Sequence, residues 1–194
     1  SGTTTDKPSA NSNADFYYEI SYARSSTVNN GTSVISYDPE TNTIKGLDAG
    51  TATITFIQKK TNLYNRTEQS FNFTVTKRTN NVGIALSSST MSVDGTVTVQ
   101  LTKNESQGAL SASYSNESYG YEDYREGGML SFSDGTLTGV NAGTATVTIT
   151  QAETYKYVAK SATFDVTVNK LTQTLRWDNP DLETGMQVNT TLYD

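Results

Sequence analysis

The stretch AGTATIT at residues 49–55 returns as AGTATVT at residues 142–148, an offset of 93 residues (142 minus 49). The turn before each stretch repeats at the same offset, and so does a later strand of each copy. Several segments that keep a single offset indicate a tandem repeat. A period of about 90 residues is too long for a solenoid unit and is typical of tandem β-sandwich domains.

Side chains in each copy alternate between apolar and polar along the chain. In the first copy Ala52, Ile54 and Phe56 are separated by threonines. A period of two predicts strands that bury the apolar set and turn the threonines to solvent. The last strand of this copy alternates in the same way, which predicts an inward set of three residues: Phe71, Phe73 and Val75.

Composition favours the same fold class. Thr, Ser, Val and Tyr are abundant whereas helix formers are sparse, and only 34% of the residues are hydrophobic, so the core must be narrow. Asp134-Gly135 lies between two short strand-like runs and is a strong hairpin signal. No segment has a helical period over more than two turns. The sequence therefore predicts an all-β fold of tandem two-sheet sandwiches.

Missing residue types exclude several kinds of chemistry. The chain has no Cys and no His, which excludes disulfides, a thiolate nucleophile, a cysteine zinc site and an imidazole base. A net charge of −6 argues against a nucleic-acid partner, and no apolar run is long enough for a transmembrane helix. We expect no enzyme activity, no catalytic residues, no bound metal and no cofactor.

Two longer stretches carry a resemblance to a known family. IKGLDAGTATITF at 44–56 and LTGVNAGTATVTI at 137–149 resemble bacterial Ig-like domains of group 2, the invasin and intimin type. The run at 149–170, followed by LTQTLRW at 171–177, looks like the tandem Ig-like repeats of Bacteroidota surface proteins. The resemblance implies an extracellular β-sandwich that serves as a spacer, an adhesin arm or a filament unit, without catalytic residues.

The repeat also predicts how the domains are divided. Residues 1–77 form a first Ig-like domain without opening strands, 78–170 a second and complete one, and 171–194 the opening strands of a further one. Only Phe16–Ala23 is a clear early strand of the first copy. We align it with residues 110–115 by pairing Tyr22 with Tyr114.

A domain without opening strands exposes sheet edges and core, and a tail of about 24 residues cannot fold alone. We therefore expect strand donation, in which the tail of one chain completes the first domain of the next. Such head-to-tail contacts build a filament of copies of the chain. The residues expected to enter the neighbour's core alternate along the tail: Leu175, Trp177, Met186, Val188 and Leu192.

Two further sets of residues have expected roles. Gly50 and Gly143 precede equivalent strands and are expected at a structural corner that excludes a side chain. A loop rich in tyrosine and acidic residues offers large, rigid contact area for a glycan or a protein, or else covers the sandwich edge. Its tyrosines are Tyr114, Tyr119, Tyr121 and Tyr124.

The expected location is the bacterial cell surface, with a signal peptide already removed. The expected function is structural or adhesive. Two alternatives stay open at this point: a glycan- or protein-binding module of a larger surface protein, and an Ig-like protein of a phage virion. The sequence also leaves open whether the chain is a whole subunit or part of a longer repeat array.

Overall fold

The computed structural model of the chain describes residues 16–23, 33–119 and 125–175. Every helix or strand in that part of the chain is a β-strand, which confirms the predicted all-β fold. Over the same residues no helix is long and apolar enough to cross a membrane.

The first copy of the repeat contributes two small sheets. Strand β4 lies between β1 and β5 in an antiparallel sheet of three strands, and β2 pairs with β3 in a hairpin. The bounds of these strands are β1 Phe16–Ala23, β2 Ile35–Asp38, β3 Thr43–Gly46, β4 Gly50–Gln58 and β5 Thr67–Val75.

The second copy contributes two sheets of four strands each. One has the order β10-β11-β8-β6, and the other has the order β7-β13-β12-β9, with β7 parallel to β13. The bounds are β6 Gly83–Leu86, β7 Thr90–Ser92, β8 Thr96–Thr102, β9 Leu110–Tyr119, β10 Leu130–Ser133, β11 Thr136–Gly139, β12 Gly143–Gln151 and β13 Lys160–Asn169.

Strand pairing confirms the repeat at the level of individual residues. Gly50 opens β4 opposite Val75, and Gly143 opens β12 opposite Val168, so both pairs keep the offset of 93. The two glycines differ in backbone conformation. Gly50 has a positive φ of 149°, and a Cβ at this position would lie 3.0 Å from Cγ2 of Val34, whereas Gly143 is not among the described glycines with positive φ.

The predicted alternation places the core correctly in the central strands. Ala52, Ile54 and Phe56 are buried in β4, and Val147 and Ile149 are fully buried in β12. The apolar residues form two separate cores, one in each copy. The tight hairpin is also confirmed, because Asp134 and Gly135 between β10 and β11 both have positive φ, as a type I′ turn requires.

Threonines on the outer faces pair with polar residues of the adjacent strand. Thr53 Oγ1 donates to Asn72 Oδ1 at 2.7 Å in the first copy, and Thr146 Oγ1 donates to Asp165 Oδ1 at 2.9 Å in the second. These cross-strand contacts hold the same register that the inner apolar residues require. The outer face therefore supports the sheet without adding apolar surface.

One alignment made from the sequence is wrong by two residues. Ile20 of β1 pairs with Ile54, and Tyr114 of β9 pairs with Val147, so Ile20 rather than Tyr22 is the counterpart of Tyr114. A shift of two residues keeps every side chain on the same face, and the alternation alone does not exclude it.

A buried polar network joins the start of the second copy to the end of β12. Gln151 is completely buried, and its Oε1 accepts hydrogen bonds from Asn80 Nδ2 at 2.9 Å and from Ser106 Oγ at 2.7 Å. Its Nε2 donates to Asn104 Oδ1 at 2.8 Å, and Asn80 Oδ1 accepts from the backbone N–H of Val82 at 3.2 Å. The network fixes where β6 begins relative to β12.

Replacement of Gln151 by Ala should destabilise the second copy. The change leaves the buried Asn80 amide short of a partner, which costs about 1–3 kcal/mol in free energy of unfolding. Gln100→Ala, at an exposed position of β8, is the matched control and should change that free energy little. Urea unfolding measures both, and equal effects of the two substitutions would contradict the assigned role of the network.

Candidate interaction site

The two copies differ in what lies beside their equivalent strands. In the second copy, β7 pairs with β13 and β8 pairs with β11. The equivalent strands of the first copy are β5 and β3, and both are outermost in their sheets within the described residues. An outermost strand presents backbone N–H and C=O groups that can pair with another strand.

A cleft of about 910 Å³ lies between these two strands of the first copy. Its walls are formed by residues of β3 and β5, by the turn after β3 and by the segment after β5, and Lys156 reaches it from the loop before β13. The apolar wall residues that matter most for the comparison with the second copy are Ile44, Gly46, Phe73 and Val75.

The corresponding space in the second copy is filled by β7, β8 and the turn between them. Gly139 is the counterpart of Gly46, and a Cβ on Gly139 would lie 2.8 Å from the backbone oxygen of Ser92 and 3.3 Å from Met91. The three heavy atoms nearest to a Cβ on Gly46 all belong to the Val75 side chain, the closest a methyl carbon at 3.1 Å. The cleft therefore lies at the place that corresponds to β7 and β8, which no described strand of the first copy occupies.

An aromatic cluster lies on the inner face of the first copy, at the Gln58 end of β4. Phe56 is its centre, with ring centroids 5.6 Å from Phe16, 5.2 Å from Tyr37 and 6.1 Å from Phe71, and Tyr18 is 4.9 Å from Tyr37. Three of the five rings keep a large exposed fraction: 45% for Phe16, 38% for Tyr18 and 47% for Phe71.

The exposure of Phe71 corrects the prediction that this side chain is buried. Phe71 lies on the predicted face, because it pairs with Ile54. No described strand covers that end of the face. Its counterpart Phe164 packs against the second core, where strands of the opposite sheet are present. Alternation thus predicts the direction of a side chain, whereas burial also needs a partner on the other side.

The hydroxyl of Tyr37 in the aromatic cluster has a raised pKa. Burial raises the pKa of its hydroxyl, and the nearby Tyr18 and Asp38 raise this pKa further. The hydroxyl also donates a hydrogen bond to Asn42 Oδ1 at 2.8 Å. An ordinary tyrosine hydroxyl is already protonated at neutral pH, so the raised pKa only extends to higher pH the range over which Tyr37 is uncharged.

Basic side chains surround the cleft although the chain as a whole is acidic. The cleft is lined by four of them, Lys45, Lys77, Arg78 and Lys156, and by one acidic residue, the buried Asp48. Lys77 is partly neutralised, because its Nζ lies 2.7 Å from a carboxylate oxygen of Glu153. In sequence, residues 171–194 have the opposite balance, with one Arg and four acidic residues: Asp178, Asp181, Glu183 and Asp194.

The cleft ends at a junction between the two copies. The backbone N–H of Arg78 donates to the carbonyl of Lys156 at 2.7 Å, and the carbonyl of Arg78 accepts from the N–H of Val158 at 3.0 Å. The N–H of Ala49 also donates to the carbonyl of Tyr155 at 3.1 Å. Two backbone hydrogen bonds thus hold the segment after β5 against the loop before β13, and the bond from Ala49 ties the first copy to the same loop.

Of the five residues expected to be donated, the structure describes Leu175 alone. Its side chain is 99% exposed, whereas Val82, which lies 93 residues earlier, is 2% exposed. Trp177, Met186, Val188 and Leu192 lie outside the described residues. The donation of this segment therefore stays a prediction.

The tyrosine-rich segment has one member in a defined place. Tyr114 lies in β9, packs against the second core, and has a pKa raised by burial and by the charge of Glu117. Tyr119 ends β9, but its side chain, like the whole of Tyr121 and Tyr124, lies outside the described residues. Binding of a glycan or protein by this segment stays a prediction.

Residues 125–128, which precede β10, are held by a single buried amide. Asn141 Oδ1 accepts from the N–H of Arg125 at 2.8 Å, and its Nδ2 donates to the carbonyls of Arg125 at 2.8 Å and Gly128 at 2.5 Å. Arg125 also forms a two-pronged ion pair with Asp94, with its closer contact at 2.6 Å. These contacts have a structural role around β10. We therefore take the first-copy cleft as the candidate site.

Sequence reasoning missed the aromatic cluster as a unit. Its members come from four strands. Among them, only Phe16 and Tyr18 lie close together in the sequence. The cluster of basic residues at the cleft was also missed, since its members are far apart in sequence and the net charge of the chain is negative.

The sequence was compared with models of protein families and with curated proteins. No family model matches the chain, and no curated protein matches it.

Proposed function

We propose that the chain is a non-enzymatic extracellular protein of bacteria, structural or adhesive in role, whose copies join head to tail by strand donation. Residues 171–194 of one chain would enter the first-copy cleft of the next. The resemblance to Ig-like repeats of surface proteins supports this location and role. The observation that carries the proposal is the open cleft at the place that β7 and β8 fill in the second copy.

The tail continues the repeat beyond the second copy. The segment KRTNNVGI at 77–84 leads into β6, and KLTQTLRW at 170–177 follows at the same offset of 93. Leu175 takes the position of the buried Val82, yet it is almost fully exposed. Burying a side chain of this size stabilises by about 1.5–3 kcal/mol, so the exposed apolar residues of a neighbour's first copy are a favourable destination.

The geometry of the cleft suits a donated strand pair. Both walls are outermost strands, so a donor segment can pair with β3 on one side and with β5 on the other. The tail carries a net charge of −3 in sequence, and four basic residues line the cleft. Opposite charge favours the encounter of the two chains and favours the orientation in which the tail of one meets the cleft of the other.

Head-to-tail joining leaves one cleft and one tail unused at the two ends. Such a contact is heterologous and builds an open filament unless its rotation closes a ring. The proposal thus supplies a physical route from a single chain to a filament or stalk.

Assembly should depend on the tail. The full chain should form larger species as its concentration rises, as measured by light scattering on a sizing column and by electron microscopy. Deleting residues 171–194 should leave single chains, and a synthetic peptide of those residues should shorten the assemblies of the full chain. Added salt should weaken assembly, because exposed charges attract less at high ionic strength. A deletion variant that assembles as well as the full chain would contradict strand donation.

Equivalent glycines provide a matched pair of substitutions. Gly139→Ala places a Cβ against the backbone of Ser92 and should destabilise the second copy by about 1–3 kcal/mol through overpacking. The atoms nearest to a Cβ in Gly46→Ala are Val75 side-chain atoms, which shift more easily than a backbone oxygen, so this substitution should change the free energy of unfolding less.

In the assembly, however, Gly46→Ala should crowd the donated backbone and weaken joining by about tenfold or more, since 1.4 kcal/mol corresponds to tenfold in affinity. Urea unfolding measures the first effect and concentration-dependent light scattering the second. If Gly46→Ala assembles like the unmodified chain, the donor does not occupy the place of β7 and β8.

A further inference from the structure

We infer that the aromatic cluster of the first copy is the receptor for Trp177 of the neighbouring chain, and that this contact makes the first copy the preferred acceptor. The inference rests on the proposed strand donation and names the pair of surfaces that gives it specificity. The partner is a second copy of this chain.

The repeat places Trp177 opposite the aromatic cluster. Trp177 lies 93 residues after Ile84 of β6. Ile84 packs against the second core, and β6 contacts β13 across the sandwich. Strand β13 carries Phe164, which is the counterpart of Phe71 in the aromatic cluster. A donated strand in the place of β6 would therefore bring Trp177 to the end of the face where Phe71 is exposed.

The residues that line the two cores differ consistently in side-chain type, with more aromatic residues in the first copy. Strand pairing makes Leu110, Ala112, Phe132, Ile149 and Phe164 of the second copy the counterparts of Phe16, Tyr18, Tyr37, Phe56 and Phe71. Three of the five second-copy residues are aliphatic, whereas all five of the first copy are aromatic. The residue that would cover them changes in the same direction, from Ile84 to Trp177.

This matched change gives a reason for specificity. Aromatic rings prefer offset or edge-to-face contacts with other rings, and Phe56 already has both a stacked and an edge-on neighbour. An indole ring can extend that arrangement and cover the exposed parts of Phe16, Tyr18 and Phe71. The second core is built around smaller side chains and already holds its own β6, so a donated strand with Trp177 fits the first copy better.

The sole tryptophan of the chain makes the inference directly measurable. As the concentration of the full chain rises and assemblies form, Trp177 emission should move to shorter wavelength and become less accessible to acrylamide. Trp177→Leu should weaken assembly by about tenfold or more, and Trp177→Phe should restore most of it.

Substitutions in the acceptor test the other side of the contact. Phe71→Ala should weaken assembly by about tenfold and reduce the emission shift, and it should leave the single chain folded because Phe71 is already 47% exposed. Tyr64→Ala is the matched control, since Tyr64 is 44% exposed and lies outside the aromatic cluster. It should change neither assembly nor emission.

The outcomes separate this inference from the proposed function. If assemblies form while Trp177 emission stays that of a water-exposed indole, or if Phe71→Ala and Tyr64→Ala behave alike, this inference fails and strand donation stands. A short-wavelength emission that does not depend on concentration would place Trp177 against its own chain and overturns the inference. If no assembly forms at any concentration, the proposed function fails and the inference fails with it.

Discussion

The need to cover one apolar sheet face governs the rest of this structure. Strands β4 and β12 have the same alternation, so both present buried residues on one side and threonines on the other. In the second copy a full opposing sheet removes that face from water. In the described part of the first copy only the β2–β3 hairpin lies opposite, and the exposed aromatic rings and the cleft both follow from this difference.

The aromatic residues of the first copy suit a sheet face that is only partly covered by the opposite sheet. Large rings that pack on one another keep Phe56 buried at 8% exposure although its neighbours reach water. The aliphatic counterparts in the second copy depend instead on β6 and β8 for their burial. The equivalent strands of the two copies thus carry cores that differ in side-chain size as well as in the sheet that covers them.

The sequence predicts local features of the fold well because they depend on neighbouring residues. The alternation identifies the inner faces of β4 and β12, and Asp134-Gly135 identifies a type I′ turn. Features that join distant segments are harder to predict from the sequence. The two-residue error at Tyr22 arose because two tyrosines were matched by residue type, and alternation could not correct it since a shift of two leaves alternation unchanged. The aromatic cluster joins rings from four strands. The repeat predicts a first domain with exposed sheet edges, but it does not identify the residues that line the cleft, because they are far apart in sequence.

The junction at Arg78 has a mechanical consequence. Both the N–H and the carbonyl of this residue are hydrogen-bonded to the loop before β13. The short link between the copies is therefore held by backbone pairing and is not a free hinge. Bending the two copies apart requires breaking backbone hydrogen bonds. A pull along the chain would therefore be carried to the second copy by the hydrogen bond from Ala49 to Tyr155 as well as by the covalent link.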